Sequence, residues 1–208
     1  MPEGINLLDL FNTASQAIQQ NKDQLNKADN YNGNHGDNMV EIFEVITQAM
    51  KEKKSADAPT QLEYAADLLR KKTNSGSANV LAGGLAQAAK EVTGKDLDLG
   101  SALGVLTTVL NGGQGGSNAT ASSDLLGSLV SGLVGGGESK SSSKQEGPDW
   151  LSLGMNLLQG AQASGLDLGE LASSLVSGTE MGKSEHRSQS GQLITNAVLQ
   201  MLMSNMGK

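Results

Sequence analysis

The sequence predicts an all-α protein, an antiparallel bundle of about eight helices. Three observations predict it. Apolar residues recur at spacings of three and four over five separate segments. Aromatic residues make up only 2% of the 208 residues, so the core has to be Leu, Val, Ile, Ala and Met. Aliphatic side chains of that kind pack helices more readily than sheets. No segment alternates polar and apolar residues for long enough to argue a strand.

The elements follow in order. Leu7, Leu8, Phe11, Ala14, Ala17 and Ile18 make the first apolar stripe. Met39, Ile42, Phe43, Ile46, Ala49 and Met50 repeat it. Leu62, Ala65, Ala66 and Leu69 form the third, after Pro59, a residue suited to a first helical turn. Val80, Leu81, Leu85, Ala88, Ala89 and Val92 form the fourth. From about residue 96 to residue 178 the chain becomes rich in Gly, Ser and Leu. Helical pieces predicted at 99–110, 124–134, 150–162 and 166–176 alternate there with glycine clusters. A loop is expected at 112–123 and a solvated, flexible linker at 135–147. Leu193, Ile194, Ala197, Val198, Met201 and Leu202 form the closing stripe. The chain reads as a single domain, 1–208, with the Gly/Ser-rich insert at about 135–147.

Composition excludes several classes of function. With 22 acidic and 15 basic residues the net charge is −7, so nucleic-acid binding is disfavoured for want of a basic surface. The absence of cysteine removes disulfides, thiolate metal sites and thiol nucleophiles. No apolar run reaches the roughly 18–20 residues that cross a bilayer. No basic segment leads into an apolar one at the start. The expectation is therefore a cytoplasmic protein without a membrane span.

One stretch collects oxygen donors and glycines ahead of the second stripe: Asp29-Asn30-Tyr31-Asn32-Gly33-Asn34-His35-Gly36-Asp37-Asn38-Met39. Side-chain oxygens at Asn32 and Asn34 can converge on a hard cation. The helix that follows offers free N–H groups and a positive dipole end to an anion. A cation site beside a phosphate site is what a Mg-nucleotide needs. The same residues are also those of tight turns and N-caps, and that plainer reading stands beside the first. A calcium loop counted from Asn30 is disfavoured, because His35 stands where the sharp turn needs glycine.

At this stretch the chain resembles a known family. Leu25 through Met39, closing on His35-Gly36-Asp37-Asn38-Met39, is similar to the signature of the nucleotide-binding L subunit of dihydroxyacetone kinases, the DhaL-type domain. That signature is roughly Asp, a spacer, then Gly-Asp-x-Asp-His-Gly-x-Asn-Met. His35, Gly36, Asn38 and Met39 match it in order, and Asn32 and Asn34 stand where the family has two magnesium-binding aspartates. An ungapped register puts Lys27 at the third aspartate, and a two-residue deletion brings Asp29 there. Further on, Asn74-Ser75-Gly76-Ser77-Ala78-Asn79-Val80-Leu81-Ala82-Gly83 resembles the family's phosphate-contacting Gly-Ala-Ser-Gly-Pro-Leu loop and helix start. Ser190-Gly191, ahead of Gln192–Leu202, resembles its Asp-Pro-Gly-Ala turn and final helix, with Gln189 and Ser190 in place of Asp and Pro.

The resemblance implies an antiparallel eight-helix barrel with Mg-ADP or Mg-ATP at its loop end. It implies His35, Gly36, Asn38, Met39, Ser75, Gly76, Ser77, Ala78, Ser190 and Gly191 around the nucleotide, and Arg187 joins them as a candidate by its chemistry. Asp29, Asn32, Asn34 and Asp37 would face the metal. The activity implied is phosphoryl transfer to a substrate held by a separate K-type subunit. His186 and Arg187 suit phosphate by their chemistry, and equally suit a polar loop before the last helix.

The chain also departs from that pattern. Two amides replace carboxylates, and each lost charge removes on the order of several kcal/mol of raw attraction for a divalent ion. Gly147-Pro148-Asp149-Trp150 lacks the threonine and the basic residue of the family's middle segment, Gly-Asp-(Lys/Arg)-Thr-Met. The expectation is a weakened metal site with weak or lost turnover. The alternative expectation is a non-catalytic binding or scaffold protein that takes an apolar ligand inside the barrel, or a partner on its Gly/Ser/Leu-rich face.

Overall fold

The apolar stripes become helices, and short polar side chains fix where they start. The computed structural model describes residues 5–95, 97–113 and 168–206. Among these are eight α-helices and one 3-10 turn, and no strand. They are α1 (Leu7–Gln20), α2 (Lys22–Ala28), α3 (His35–Glu52), α4 (Ala58–Lys72), α5 (Gly76–Glu91), α6 (Leu99–Leu110) and α7 (Leu168–Ser177). The 3-10 turn Glu180–Lys183 and the long α8 (Glu185–Met206) close the order. Four helices open on a capping side chain that accepts an otherwise unpaired N–H: Asn6 from Leu8, Asp57 from Thr60, Ser75 from Ala78 and Asp98 from Ser101. The all-α expectation is met. The pieces expected at 124–134 and 150–162, the linker at 135–147, most of the loop at 112–123 and Gly147–Trp150 lie outside the described residues.

Successive helices pack on one another. α1 lies on α3, α3 on α4, α4 on α5 and α5 on α6, while α7 lies on α8 and α8 returns to α1. A thinner contact joins α6 to α7. All eight helices feed one hydrophobic cluster, for example through Leu10, Leu25, Ile46, Leu69, Leu85, Val105, Val176 and Val198. Each such aliphatic side chain taken out of water contributes roughly 1.5–3 kcal/mol. The α5–α6 seam is closer than most. A Cβ on Gly84 would strike the carbonyl oxygen of Val109 and come within 2.5 Å of its Cα. A Cβ on Gly113 would likewise strike the backbone of Gly83. Gly112 and Gly113 turn the chain after α6 at φ +74° and +67°, where L side chains are strained. No described helix is long and apolar enough to cross a membrane.

Two elements differ from expectation. α2 has no counterpart in the sequence reading, because its seven residues bury only Leu25 and give no stripe. The last helix was expected from Gln192, with Ser190-Gly191 as a turn and His186 and Arg187 in a loop. Instead α8 begins at Glu185 and holds all four. Its first turns carry no apolar stripe, and polar contacts and backbone packing seat them instead. Ser190 is fully buried, and Gly191 brings α8 so near α7 that a Cβ there would meet a Val176 methyl at 2.8 Å.

Candidate functional site

Three helix starts come together: α3 at His35, α5 at Gly76 and the first turns of α8. The contact between α3 and α8 is polar and buried. His35 Nε2 lies 3.1 Å from Ser190 Oγ, and Ser190 Oγ donates to the Arg187 carbonyl at 2.8 Å. The hydroxyl has one proton, and it goes to that carbonyl. His35 therefore donates through Nε2–H, and its Nδ1 is the unprotonated nitrogen. The His186 ring stands edge-on to the His35 ring, with centroids 4.8 Å apart and planes at 74°. Burial, and then the charges of His186 and Arg187, push the His35 imidazole down to about 4 against the opposing pull of Asp29. It is neutral at pH 7.

The contact between α5 and α8 is between a cation and a helix start. The Arg187 guanidinium lies directly over Gly76, where a Cβ would be 2.7 Å from Nη2. That places a positive group against the positive end of the α5 dipole. No carboxylate answers it: the ion pairs among the described residues are Lys22–Asp37, Arg70–Asp67 and Lys183–Glu180. Arg187 Nε is buried without a hydrogen-bond partner, as are Ser184 Oγ and Gln189 Oε1 on the same stretch of chain. Buried polar groups of this kind are normally paired, and unpaired ones point to a missing ligand, ion or water. Ser75 caps α5 through the Ala78 N–H, and Ser77 and Ala78 are buried at its first turn.

The loop ahead of α3 is organised differently. Asp29 is nearly buried, and its carboxylate accepts from the backbone N–H groups of Tyr31 (3.0 Å) and Asn34 (3.3 Å). Desolvation pushes its pKa up, but those N–H groups, His186 and the Asn32 N–H outweigh it and hold the carboxyl below its ordinary value. Asn32 Oδ1 takes a long contact of 3.4 Å from the Asn34 N–H, and Asn34 Oδ1 accepts from the Asn38 amide at 2.8 Å. Asp37 faces α2, where it meets the Asn26 amide at 2.9 Å and the Lys22 ammonium at 3.2 Å. These two partners hold its carboxyl below the usual range. Gly36 makes the close approach possible, because any side chain there would strike the Lys22 carbonyl.

Of the residues expected around a nucleotide, His35, Ser75, Gly76, Ser77, Ala78, Arg187 and Ser190 lie at this convergence. Met39 does not. It is fully buried in the core. Gly191 serves the contact with α7 and Gly36 the contact with α2, and the Asn38 amide is spent on the Asn34 side chain just ahead of α3. Lys22 and Asn26, which neutralise and orient Asp37, were missed, and α2 carries no sequence signal that would have found them.

The donor set does not fit a magnesium ion. Asp29, Asn32, Asn34 and Asp37 each spend side-chain oxygens on protein donors, and among the described residues no three His, Asp or Glu gather as a cation site. A hard divalent ion is held by carboxylates and carbonyls left free to turn towards it. Compared with protein-family models, with curated proteins and with solved structures, the chain matches none.

Proposed function

We propose that this chain binds the phosphates of a nucleotide, ADP or ATP, where α3, α5 and α8 begin, in the manner of a DhaL-type domain. The observation that carries the reading is the Arg187 guanidinium set on Gly76 at the start of α5, with no carboxylate partner and with its Nε unpaired among the described residues. An anion there would neutralise the guanidinium and take up the free N–H groups of the helix start together. Two further facts support it. Two of the segments that carry the family resemblance touch through His35 and Ser190, 155 residues apart, and the third opens against Arg187, three residues ahead of Ser190. The order of packing, α1 on α3, then α3 to α6 in sequence and α8 back on α1, is compatible with a helical barrel.

The reading is binding without turnover. Phosphoryl transfer relies on metal charge at the phosphate oxygens as well as on positioning. Among the described residues no carboxylate cage stands beside the loop to hold that metal. A K-type partner subunit is part of the same family expectation, and it enters only if turnover is found.

Calorimetric titration of the full chain with ADP, and with adenosine as the comparison, tests the proposal. Saturable heat with ADP and none with adenosine is expected, little altered by magnesium. No saturable heat at millimolar ADP overturns it, and so does equal binding of the two, which would make the base rather than the phosphates the point of contact.

A further inference from the structure

The sequence contains two Asn-Gly steps, Asn32-Gly33 and Asn111-Gly112, and the fold treats them in opposite ways. Asn32 and Gly33 are both exposed on the loop before α3. The Gly33 N–H makes no well-formed hydrogen bond among the described residues. A Cβ on Gly33 would meet nothing nearer than the Asn26 carbonyl at 4.0 Å, so among the described residues no other part of the chain packs on that side of the turn. Gly33 sits at φ +68°, within reach of the wide rotations that glycine alone makes cheaply. The Asn34 N–H lies 3.4 Å from Asn32 Oδ1, where it polarises the side-chain carbonyl.

Asn111 is the C-cap of α6, with helical backbone angles of φ −81° and ψ −5° and its own N–H bonded to the Thr107 carbonyl. The Gly112 N–H donates to the Val109 carbonyl at 3.3 Å, and Gly112 is pressed against Val80. Its nitrogen cannot reach the Asn111 side chain until the end of α6 opens.

We infer that Asn32-Gly33 is a site of spontaneous deamidation, while the fold protects Asn111-Gly112. Solvent base takes the Gly33 amide proton, and the nitrogen forms a bond to Asn32 Cγ. The bond from Cγ to the side-chain nitrogen breaks, and that nitrogen leaves as ammonia with a proton returned from solvent. Water then opens the cyclic imide at either carbonyl, giving aspartate or isoaspartate. The balance is asparagine plus water to acid plus ammonia, with nothing oxidised or reduced. The product carries a new carboxylate beside Asp29, and the isoaspartate form lengthens the main chain by one carbon just ahead of His35.

The test is incubation of the folded full chain in mildly alkaline buffer at body temperature, with peptide mass mapping over time. The peptide containing Asn32 should gain about one dalton and split into two chromatographic species, while the Asn111 peptide converts about ten-fold more slowly. In urea the two rates should approach each other, because the protection of Asn111 is a property of the fold. An Asn32→Gln variant should remove the conversion at that peptide, and Gly33→Ala should slow it. Equal rates in the folded chain, an unchanged Asn32 peptide, or a gap of the same size in urea would each overturn the inference. The readout is mass alone, so it stands or falls independently of nucleotide binding.

Discussion

Two of the close approaches that glycine allows in this protein, in the α5–α6 seam and at the start of α5, are of different kinds. In the α5–α6 seam, Gly84 faces the backbone of Val109 and Gly113 faces that of Gly83. Main chain meets main chain around an aliphatic core that includes Leu81, Leu85, Val105 and Leu106. At the start of α5, Gly76 faces the flexible end of Arg187 instead, and among the described residues Arg187 Nε has no hydrogen-bond partner. The seam is a finished contact that stabilises the fold. The helix start holds a cation against a helix dipole of the same sign.

The same substitution at the two places separates them most sharply. Gly84→Ala should lower stability by about 1–3 kcal/mol in urea denaturation, since a Cβ there meets backbone that cannot yield. Gly76→Ala should change stability by less than about 0.5 kcal/mol, because the guanidinium can swing away, while ADP binding weakens. Equal losses of stability would erase the distinction. Next in size, Ser190→Ala leaves the buried His35 Nε2–H without its acceptor and should cost about 1–3 kcal/mol, measured the same way.

The helix start is also set apart from the seam by its response to pH. His35 sits at about 4 in the folded chain against an ordinary 6.5, so between those values the unfolded chain binds the extra proton. Stability should therefore be full above pH 6.5, fall as pH drops through that window, and level off for this group below about 4. Asp29 and Asp37, whose pKa values are lowered, contribute losses only below their ordinary 3.8. His35→Gln should flatten the window between 4 and 6.5 in pH-resolved denaturation and leave the more acid limb in place. Smallest of all, Asn32→Asp combined with Asn34→Asp should give magnesium binding detectable by calorimetry where the native loop gives none, without changing the stability of the α5–α6 seam.

The long apolar helices were legible in the sequence because burial on one face leaves a period that survives any detail of packing. α6, with Ala102, Val105, Leu106 and Val109 inward, runs over the residues its pattern predicts. α2 and the first turns of α8 were not legible. α2 is fixed by Leu25 and by Asn26 and Lys22 acting on Asp37, and α8 by Ser190 and by glycine contact with α7. Polar and close-approach contacts of that kind have no period. The site shows the same division. His35, Ser75–Ala78 and Ser190 could be picked out by resemblance, but that Arg187 rests on Gly76 is a tertiary fact that no local pattern encodes. Asp37 illustrates the converse, a carboxylate plausible for a cation by its place in the chain and claimed in the fold by a lysine.

Arg187 carries the central claim, and a paired titration tests it most directly. ADP or inorganic pyrophosphate is titrated by calorimetry into the native chain and into Arg187→Ala, with folding of both checked by urea denaturation. Saturable binding to the native chain, weakened at least about ten-fold in a folded Arg187→Ala variant, is the predicted result. Equal affinity in the two folded proteins, or no binding to either, would contradict it.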